Sequence, residues 1–328
     1  MSATSRGPLA AALLIAALCV GPSARANDST AELGAGGLQL ARNYSIELLN
    51  EDLYLSPTEV RVSYRFRNKS TAAITSIVAF PLPVIDATVP EALNVVLPLA
   101  ESENFVDFRV SVDGAPVTPS VSARVIALGV DRTAEITAMQ LPLNPYAEGL
   151  RNRIKTLPAD TRIAMNRLGL LLPEEDDYQP AWKLKTAFYW HQTFPHGREV
   201  AIEHRYKPVV GFAFFGAYSL EDKAMRAKYC MDDAFVRAAQ ARLAAIRNSN
   251  HPYLDEQRIA YVLTTANNWA SPIKSFRLVV DKGEPAALVS FCGKNVRRIS
   301  ATQFELIATD FVPDRELDVL VLKSRREP

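Results

Sequence analysis

The feature that most constrains the fold is a two-residue repeat in hydrophobicity. Between Glu59 and Arg67 every second residue is apolar, and the residues between them are charged or small. Because successive side chains of a strand point to opposite faces of a sheet, this pattern predicts a strand with one buried face. Similar runs occur at 46–55, 74–80, 105–112, 124–130, 182–193, 199–206, 258–265, 276–281, 287–292, 303–308 and 317–322. The chain is therefore predicted to be mainly β.

Two segments depart from this alternation. Between 141 and 180 the apolar residues follow helical spacing, which predicts one or two short helices. Near 232–247, Asp232 or Asp233 can cap a helix whose apolar residues line one side. We therefore expect a mainly β fold with short helices (α+β). It consists of two antiparallel β-sandwich-like units joined by a short helical segment, plus one amphipathic helix.

The length of 328 residues favours two packed units over one ordinary core. The predicted organisation is a signal peptide at 1–26, an N-terminal arm at 27–43, a β-sandwich unit at 44–140, a helical linker at 141–181 and a second β-rich unit with a helix at 182–328. The arm is small and glycine-rich, so it is expected to be loose.

The first 26 residues have the three parts of a secretory signal peptide. Arg6 supplies a basic start, residues 9–20 are apolar, and Ala24-Arg25-Ala26 is a small-x-small cleavage pattern. The apolar stretch is shorter than the roughly 20 residues that a membrane-spanning helix needs. This predicts cleavage after Ala26, a periplasmic location and a mature chain with no transmembrane segment.

The interpretation of the cysteines depends on the prediction that the chain is exported. Cys19 leaves with the signal peptide, so the mature chain keeps Cys230 and Cys292. Two cysteines in an oxidising compartment most simply pair, which predicts a disulfide bond. The alternative is a reactive thiol, because Cys230 lies just before a predicted helix, where a thiolate is favoured.

Charge and motifs exclude several function classes. Without its first 26 residues the chain keeps 35 basic and 36 acidic side chains, and it has no basic stripe, which argues against nucleic acid as a partner. The motifs G-x-S-x-G, H-E-x-x-H and the P-loop are absent from the sequence. We therefore assign no catalytic residue, no metal ligand and no cofactor.

Four histidines and an aromatic zone are the candidate functional residues. His191, His196 and His204 lie within fourteen residues, so either a metal site or packing in the core could explain them. Their strand positions differ in parity, which favours packing. Aromatic side chains are frequent between residues 182 and 218, which predicts either a binding groove or a thick core. They include Trp182, Phe188, Tyr189, Trp190, Phe194, Phe212, Phe214, Phe215 and Tyr218.

A series of motifs in chain order identifies a family resemblance. The motifs are Val62-x-Tyr64-x-Phe66-x-Asn68, Val78-Ala79-Phe80-Pro81-Leu82-Pro83, Trp190-x-Gln192-x-Phe194-Pro195, His204-x-Tyr206-x-Pro208, Tyr229-Cys230, Tyr261-x-Leu263-x-Thr265, Asn268-Trp269-x-x-Pro272-Ile273-x-x-Phe276 and Ser290-Phe291-Cys292. Together they resemble the bacterial secreted family called domain of unknown function 4424. The resemblance covers nearly all of the mature chain and implies secretion, but no reaction.

Two functions remain open at this point. The first is an exported, non-catalytic binding or structural module of the periplasm, with Trp190, His191, His204 and Trp269 as candidate binding residues. Its partner would be an envelope protein, a peptide or a cell-wall component. The second is a periplasmic hydrolase or transferase that uses His191 or His204 with a carboxylate. The absence of an intact catalytic motif favours the first.

Overall fold

The chain is mainly β, as the alternating pattern predicts. The computed structural model describes residues 28–34, 37–88, 94–172 and 178–325. The predicted signal peptide and its cleavage point lie outside the described residues. No described helix is both long enough and apolar enough to cross a membrane.

The described residues include twenty strands, six α-helices and a 3-10 helix at Thr264–Asn268. The strands are β1 (Ser29–Gly34), β2 (Gly37–Ala41), β3 (Ile46–Leu55), β4 (Val60–Asn68), β5 (Ile74–Pro81), β6 (Ile85–Asp86), β7 (Asn94–Val96), β8 (Arg109–Val112), β9 (Ala115–Val117), β10 (Ser120–Ala127), β11 (Val130–Asp131), β12 (Lys183–Phe194), β13 (Glu199–Tyr206), β14 (Val210–Phe215), β15 (Leu254–Tyr261), β16 (Ile273–Asp281), β17 (Leu288–Phe291), β18 (Arg297–Arg298), β19 (Gln303–Phe311) and β20 (Leu317–Lys323). The helices are α1 (Thr133–Ala138), α2 (Leu150–Thr156), α3 (Ala159–Arg167), α4 (Ala217–Glu221), α5 (Lys223–Tyr229) and α6 (Asp233–Ile246).

The strands form three sheets. The first sheet has the order β11-β10-β12-β5-β1-β2, with β6 also paired to β12. The second has the order β18-β19-β16-β3-β4-β13-β8-β9, and the third has the order β17-β20-β15-β14-β7. Pairing is antiparallel throughout the described strands except between β3 and β16, which run parallel. This parallel pair joins β3, an early strand, to β16, a late one. The second sheet is therefore complete only when both parts of the chain have joined it.

The buried faces of the strands follow the predicted alternation. In β4 the side chains of Val60, Val62, Tyr64 and Phe66 are buried, and the arginines between them are exposed. Asp113 and Gly114 both have positive φ, as a two-residue hairpin turn between β8 and β9 requires. The main core lies between the sheets and combines apolar side chains from β3 through β20.

Three of the six described α-helices, α2, α3 and α6, lie where the sequence predicts helices, whereas α1, α4 and α5 were not predicted. α2 and α3 occupy the segment predicted as a helical linker and pack in a second cluster around the buried Trp182. The Asp232 side chain accepts a hydrogen bond from the backbone N–H of Phe235 at 2.7 Å and so caps α6. The apolar face of α6, with Phe235, Ala239 and Leu243, packs in a third cluster that covers part of the third sheet.

All three sheets combine strands from the two predicted units. The first sheet pairs β12 with β5, the second pairs β13 with β4, and the third pairs β14 with β7. Sheet pairing therefore does not separate residues 44–140 from 182–328. The division into two domains stays a prediction.

The N-terminal segment differs from the expected loose arm. β1 and β2 form a hairpin, and β1 pairs with β5 through the register of Ser29 with Ala79. Hydrogen bonds from small polar side chains hold the hairpin, for example from Thr30 Oγ1 to the carbonyl of Ala41 at 2.8 Å. Because these residues are small and polar, their burial produces no alternation that a sequence pattern could reveal.

Candidate functional site

A groove of about 1090 Å³ lies against one face of the third sheet, beside α4 and α5. On this face the strand register places Ala213 beside Glu256, Gly211 beside Arg258 and Ala260 beside Asp318. Glycine and alanine have almost no side chain, so the sheet surface is recessed where they lie. These small residues and the charged residues next to them form the floor of the groove.

The charged side chains of the floor are paired with one another. The Arg258 guanidinium donates a hydrogen bond to the buried carboxylate of Glu256. Lys228 Nζ lies 3.3 Å from Asp318 Oδ1. Burial raises the pKa of Asp318, and the nearby Lys228 ammonium offsets part of that rise. The floor therefore presents charges of both signs to a ligand.

An exposed aromatic ring, that of Tyr218, forms the rim of the groove. Its exposed fraction is 63%, and it lines the groove. The Tyr218 hydroxyl donates a hydrogen bond to the backbone carbonyl oxygen of Phe214 at 2.8 Å, which fixes the Tyr218 ring relative to β14. The Phe214 ring itself lies on the other face of β14, because Ala213 and Phe215 face the groove side. Large exposed aromatic side chains beside a concave surface are typical of a binding site.

The disulfide bond fixes the wall of the groove. Cys230 and Cys292 are bonded, which confirms the predicted pairing. Cys230 follows Tyr229, the last residue of α5, and the carbonyl of Tyr229 accepts a hydrogen bond from Ser290 Oγ at 2.9 Å. Lys228 and Tyr229 both line the groove. The disulfide therefore ties the end of α5 to the end of β17 and holds these two groove residues against the third sheet.

The structure places the four residues predicted from the sequence away from this groove. His191 is exposed on β12. Trp190, His204 and Trp269 are buried in the main core. Trp190 and His204 contact each other edge to face, with ring centroids 5.5 Å apart. These three therefore pack inside the protein rather than on a surface that a partner could reach.

His204 does have a carboxylate partner. Its Nε2 lies 2.9 Å from Oδ2 of Asp28, and neither side chain has any exposed surface. Burial raises the pKa of Asp28, and the imidazole of His204 opposes that rise. A hydrolase needs its base within hydrogen-bond reach of substrate. The sealed surroundings of this pair, with aromatic rings on several sides, argue against that role.

The histidines do not converge on a metal site. His196 is in the turn after β12, where its Nδ1 contacts the carbonyl oxygen of Ser70. His191 and His204 belong to different sheets, and His191 is on the face of β12 opposite to Trp190. Among the described residues no three His, Cys, Asp or Glu side chains cluster in a way that could hold a metal ion.

The sequence revealed the groove only in part. Phe212, Phe214 and Tyr218 belong to the aromatic zone, but Glu256, Arg258 and Asp318 were not among the candidates. A signal for two of them exists in β15, where Glu256 and Arg258 share a strand face with the buried Leu254. Charged residues in register with a buried leucine indicate a polar floor beside a core.

Comparisons with solved structures give distant likenesses. A candidate nutrient binding protein from Legionella pneumophila has 15% identity, with 90% of this chain and 72% of that chain covered and a TM-score of 0.40. The M1 zinc metallopeptidase of Deinococcus radiodurans has 9% identity, with 86% and 43% covered and a TM-score of 0.27. This chain thus spans less than half of that enzyme. Neither likeness supports an inference about function.

Sequence comparison is more specific. No curated protein matches the chain. The family model described as "Domain of unknown function (DUF4424)" matches residues 26–320, which is nearly the whole sequence and includes the groove, the disulfide and the buried Asp28. This match agrees with the resemblance found in the ordered motifs. The chain belongs to the DUF4424 family.

Proposed function

We propose that this protein is an exported, non-catalytic binding module of the bacterial envelope, and that its ligand occupies the groove on the third sheet. The observation that carries the proposal is the exposed ring of Tyr218 beside a recessed floor. Soluble proteins rarely keep large aromatic rings in solvent beside a concave surface unless something covers them.

An extended peptide fits the chemistry of the groove best. Its positive and negative groups can pair with Asp318 and Lys228, and its apolar side chains can cover the Tyr218 ring at the rim. Its backbone can also exchange hydrogen bonds with the polar floor. The peptide would be free, part of an envelope protein or a component of the cell wall. Nucleic acid is disfavoured because the groove also carries the carboxylates of Glu256 and Asp255.

Filling the floor of the groove should weaken binding. The probe is a pool of pentapeptides with free termini, titrated calorimetrically into the chain that starts at Asn27. Replacing Ala260 with tryptophan places a large side chain beside Asp318, so we expect affinity to fall at least about tenfold. Tyr218→Ala should have a similar effect while changing stability by less than about 0.5 kcal/mol, because the ring is largely exposed.

The matched control is Ala301→Trp, which puts the same side chain on an exposed bend before β19. It should leave peptide affinity unchanged. Oligosaccharides of N-acetylglucosamine form the second arm. If they bind and peptides do not, the ligand is a glycan. If both probes bind Ala260→Trp as well as the unchanged protein, the groove is not the site.

Export supports this proposal independently of the groove. The disulfide agrees with an oxidising compartment, and the predicted signal peptide supplies the route. We expect the protein recovered from the periplasm of a host with an outer membrane to begin at Asn27. Intact-mass measurement with N-terminal sequencing checks this. Recovery of a chain that still starts at Met1 would contradict the proposed location.

A further inference from the structure

The start of the described chain is held in the protein interior by polar contacts of three kinds. The Asp28 carboxylate accepts a hydrogen bond from His204 Nε2 at 2.9 Å. The backbone carbonyl of Asp28 accepts one from Trp269 Nε1 at 2.6 Å. Asn268 Nδ2 donates to Ser29 Oγ at 2.9 Å. Three groups are thus each bound by a different residue: the Asp28 side chain, the Asp28 carbonyl oxygen and the Ser29 hydroxyl.

These donors are held firmly in place. The Trp269 ring packs on Phe66 with ring centroids 4.7 Å apart. The His204 ring is stacked on Phe108 at 5.1 Å and meets Tyr64 edge to face at 5.5 Å. Because aromatic packing fixes both rings, their N–H groups point in set directions. The donors therefore form a preorganised site for an aspartate followed by a small hydroxyl residue.

β1, the strand that follows Asp28, pairs with the rest of the first sheet over a short length. β1 pairs with β5 over three residues, Ser29–Ala31 against Ile77–Ala79. Three pairs are a short ladder for a strand, so backbone pairing alone specifies its register weakly. The recognition of Asp28 and Ser29 supplies the missing specificity, because a slip of one residue would leave the buried imidazole without the carboxylate.

The binding site is assembled from distant parts of the chain. Asp28 is 176 residues from His204 and 241 residues from Trp269 along the sequence. Closing such long loops is entropically costly until the rest of the fold holds the donors together. The first residues of the exported chain thus have a site to bind only after the later strands have formed.

We propose that His204, Asn268 and Trp269 form a strand-binding site for an extended segment in which an aspartate is followed by a serine, and that residues 28–34 of this chain are its occupant. The segment docks last and closes the first sheet at β5. In the exported protein it becomes available when the signal peptide is removed after Ala26. This inference does not depend on the groove or on its ligand.

A nicked form of the complete protein tests the inference. A specific protease site is inserted between Ala35 and Gly36 in the chain that starts at Asn27, and the folded protein is cut there. The released N-terminal fragment should stay bound during gel filtration. A labelled synthetic peptide of the same sequence should replace it slowly. Asp28→Ala in the fragment should speed its dissociation by about 100-fold, since it leaves the buried imidazole of His204 without its carboxylate partner.

The matched control is Glu32→Gln, which changes an exposed carboxylate on the same strand and should dissociate like the unchanged fragment. Equal dissociation of the unchanged and Asp28→Ala fragments would overturn the inference. Hydrogen exchange on the uncut protein gives a second measurement. The backbone amides of β1 should be protected in the unchanged protein and in Glu32→Gln but not in Asp28→Ala. Equal exchange in all three would also overturn it.

Discussion

Replacing Trp269 with alanine is expected to lower the free energy of unfolding by about 3–5 kcal/mol. The side chain is only 1% exposed and packs against Phe66 and Phe194. Its removal leaves a cavity and takes away the donor to the carbonyl of Asp28. Urea denaturation of the chain that starts at Asn27, followed by circular dichroism, measures the change.

Two further variants help to explain that loss of stability. Trp269→Phe keeps most of the ring but loses the indole N–H, so it should cost about 1–3 kcal/mol. Tyr44→Ala removes a ring that is largely exposed and should change stability by less than about 0.5 kcal/mol. A Trp269→Ala protein as stable as the Tyr44→Ala protein would show that the ring is not in the core.

Removing the disulfide is the second change with a large expected effect. The bond closes a loop with a sequence separation of 62. On the chain-entropy model such a loop stabilises the fold by about 4 kcal/mol. The double variant Cys230→Ser and Cys292→Ser, made in the chain that starts at Asn27 and therefore without any cysteine, should lose about that much in urea denaturation. Peptide affinity should also fall, because α5 holds Lys228 and Tyr229 at the groove.

Reduction of the unchanged protein breaks the disulfide without introducing serine, so it controls for any effect of the serine side chains themselves. Intact mass should rise by about two daltons on reduction, and the reduced protein should unfold at the same urea concentration as the double variant. Arg226→Ala is a matched change on α5 that leaves the disulfide in place, and it should have a small effect because the side chain is 41% exposed and pairs with the exposed Asp233 at 3.9 Å. Native protein with two free thiols would contradict the bonded state.

The strands and the long helix could be predicted because their signals are local. Alternation in β4 and β13 reflects one face in the core and the other in water, and this depends on each residue and its neighbours two positions away. The cap at Asp232 is equally local. Local patterns of this kind can be recognised in the sequence without knowing how the rest of the chain folds.

The candidate site could not be predicted in the same way. Trp190, His204 and Trp269 were selected because aromatic and imidazole side chains often bind ligands, but the structure buries all three. Composition cannot separate an aromatic ring in a core from one in a groove, since both require a large apolar surface. The groove depends on the register that brings Ala260 beside Asp318, and register between distant strands is set by the whole fold.

The sequence by itself predicted most of the long strands, the long helix α6, the family and the pairing of the two cysteines. Each of these predictions depends on a local pattern, on a series of motifs or on the cysteine content of an exported chain. Only the tertiary structure decided that β3 joins β16, that Asp28 meets His204, and that the charged residues of β15 and β20 share a groove floor. The physical reason is that these contacts link residues far apart in the chain. Their energies exist only after the intervening strands have packed.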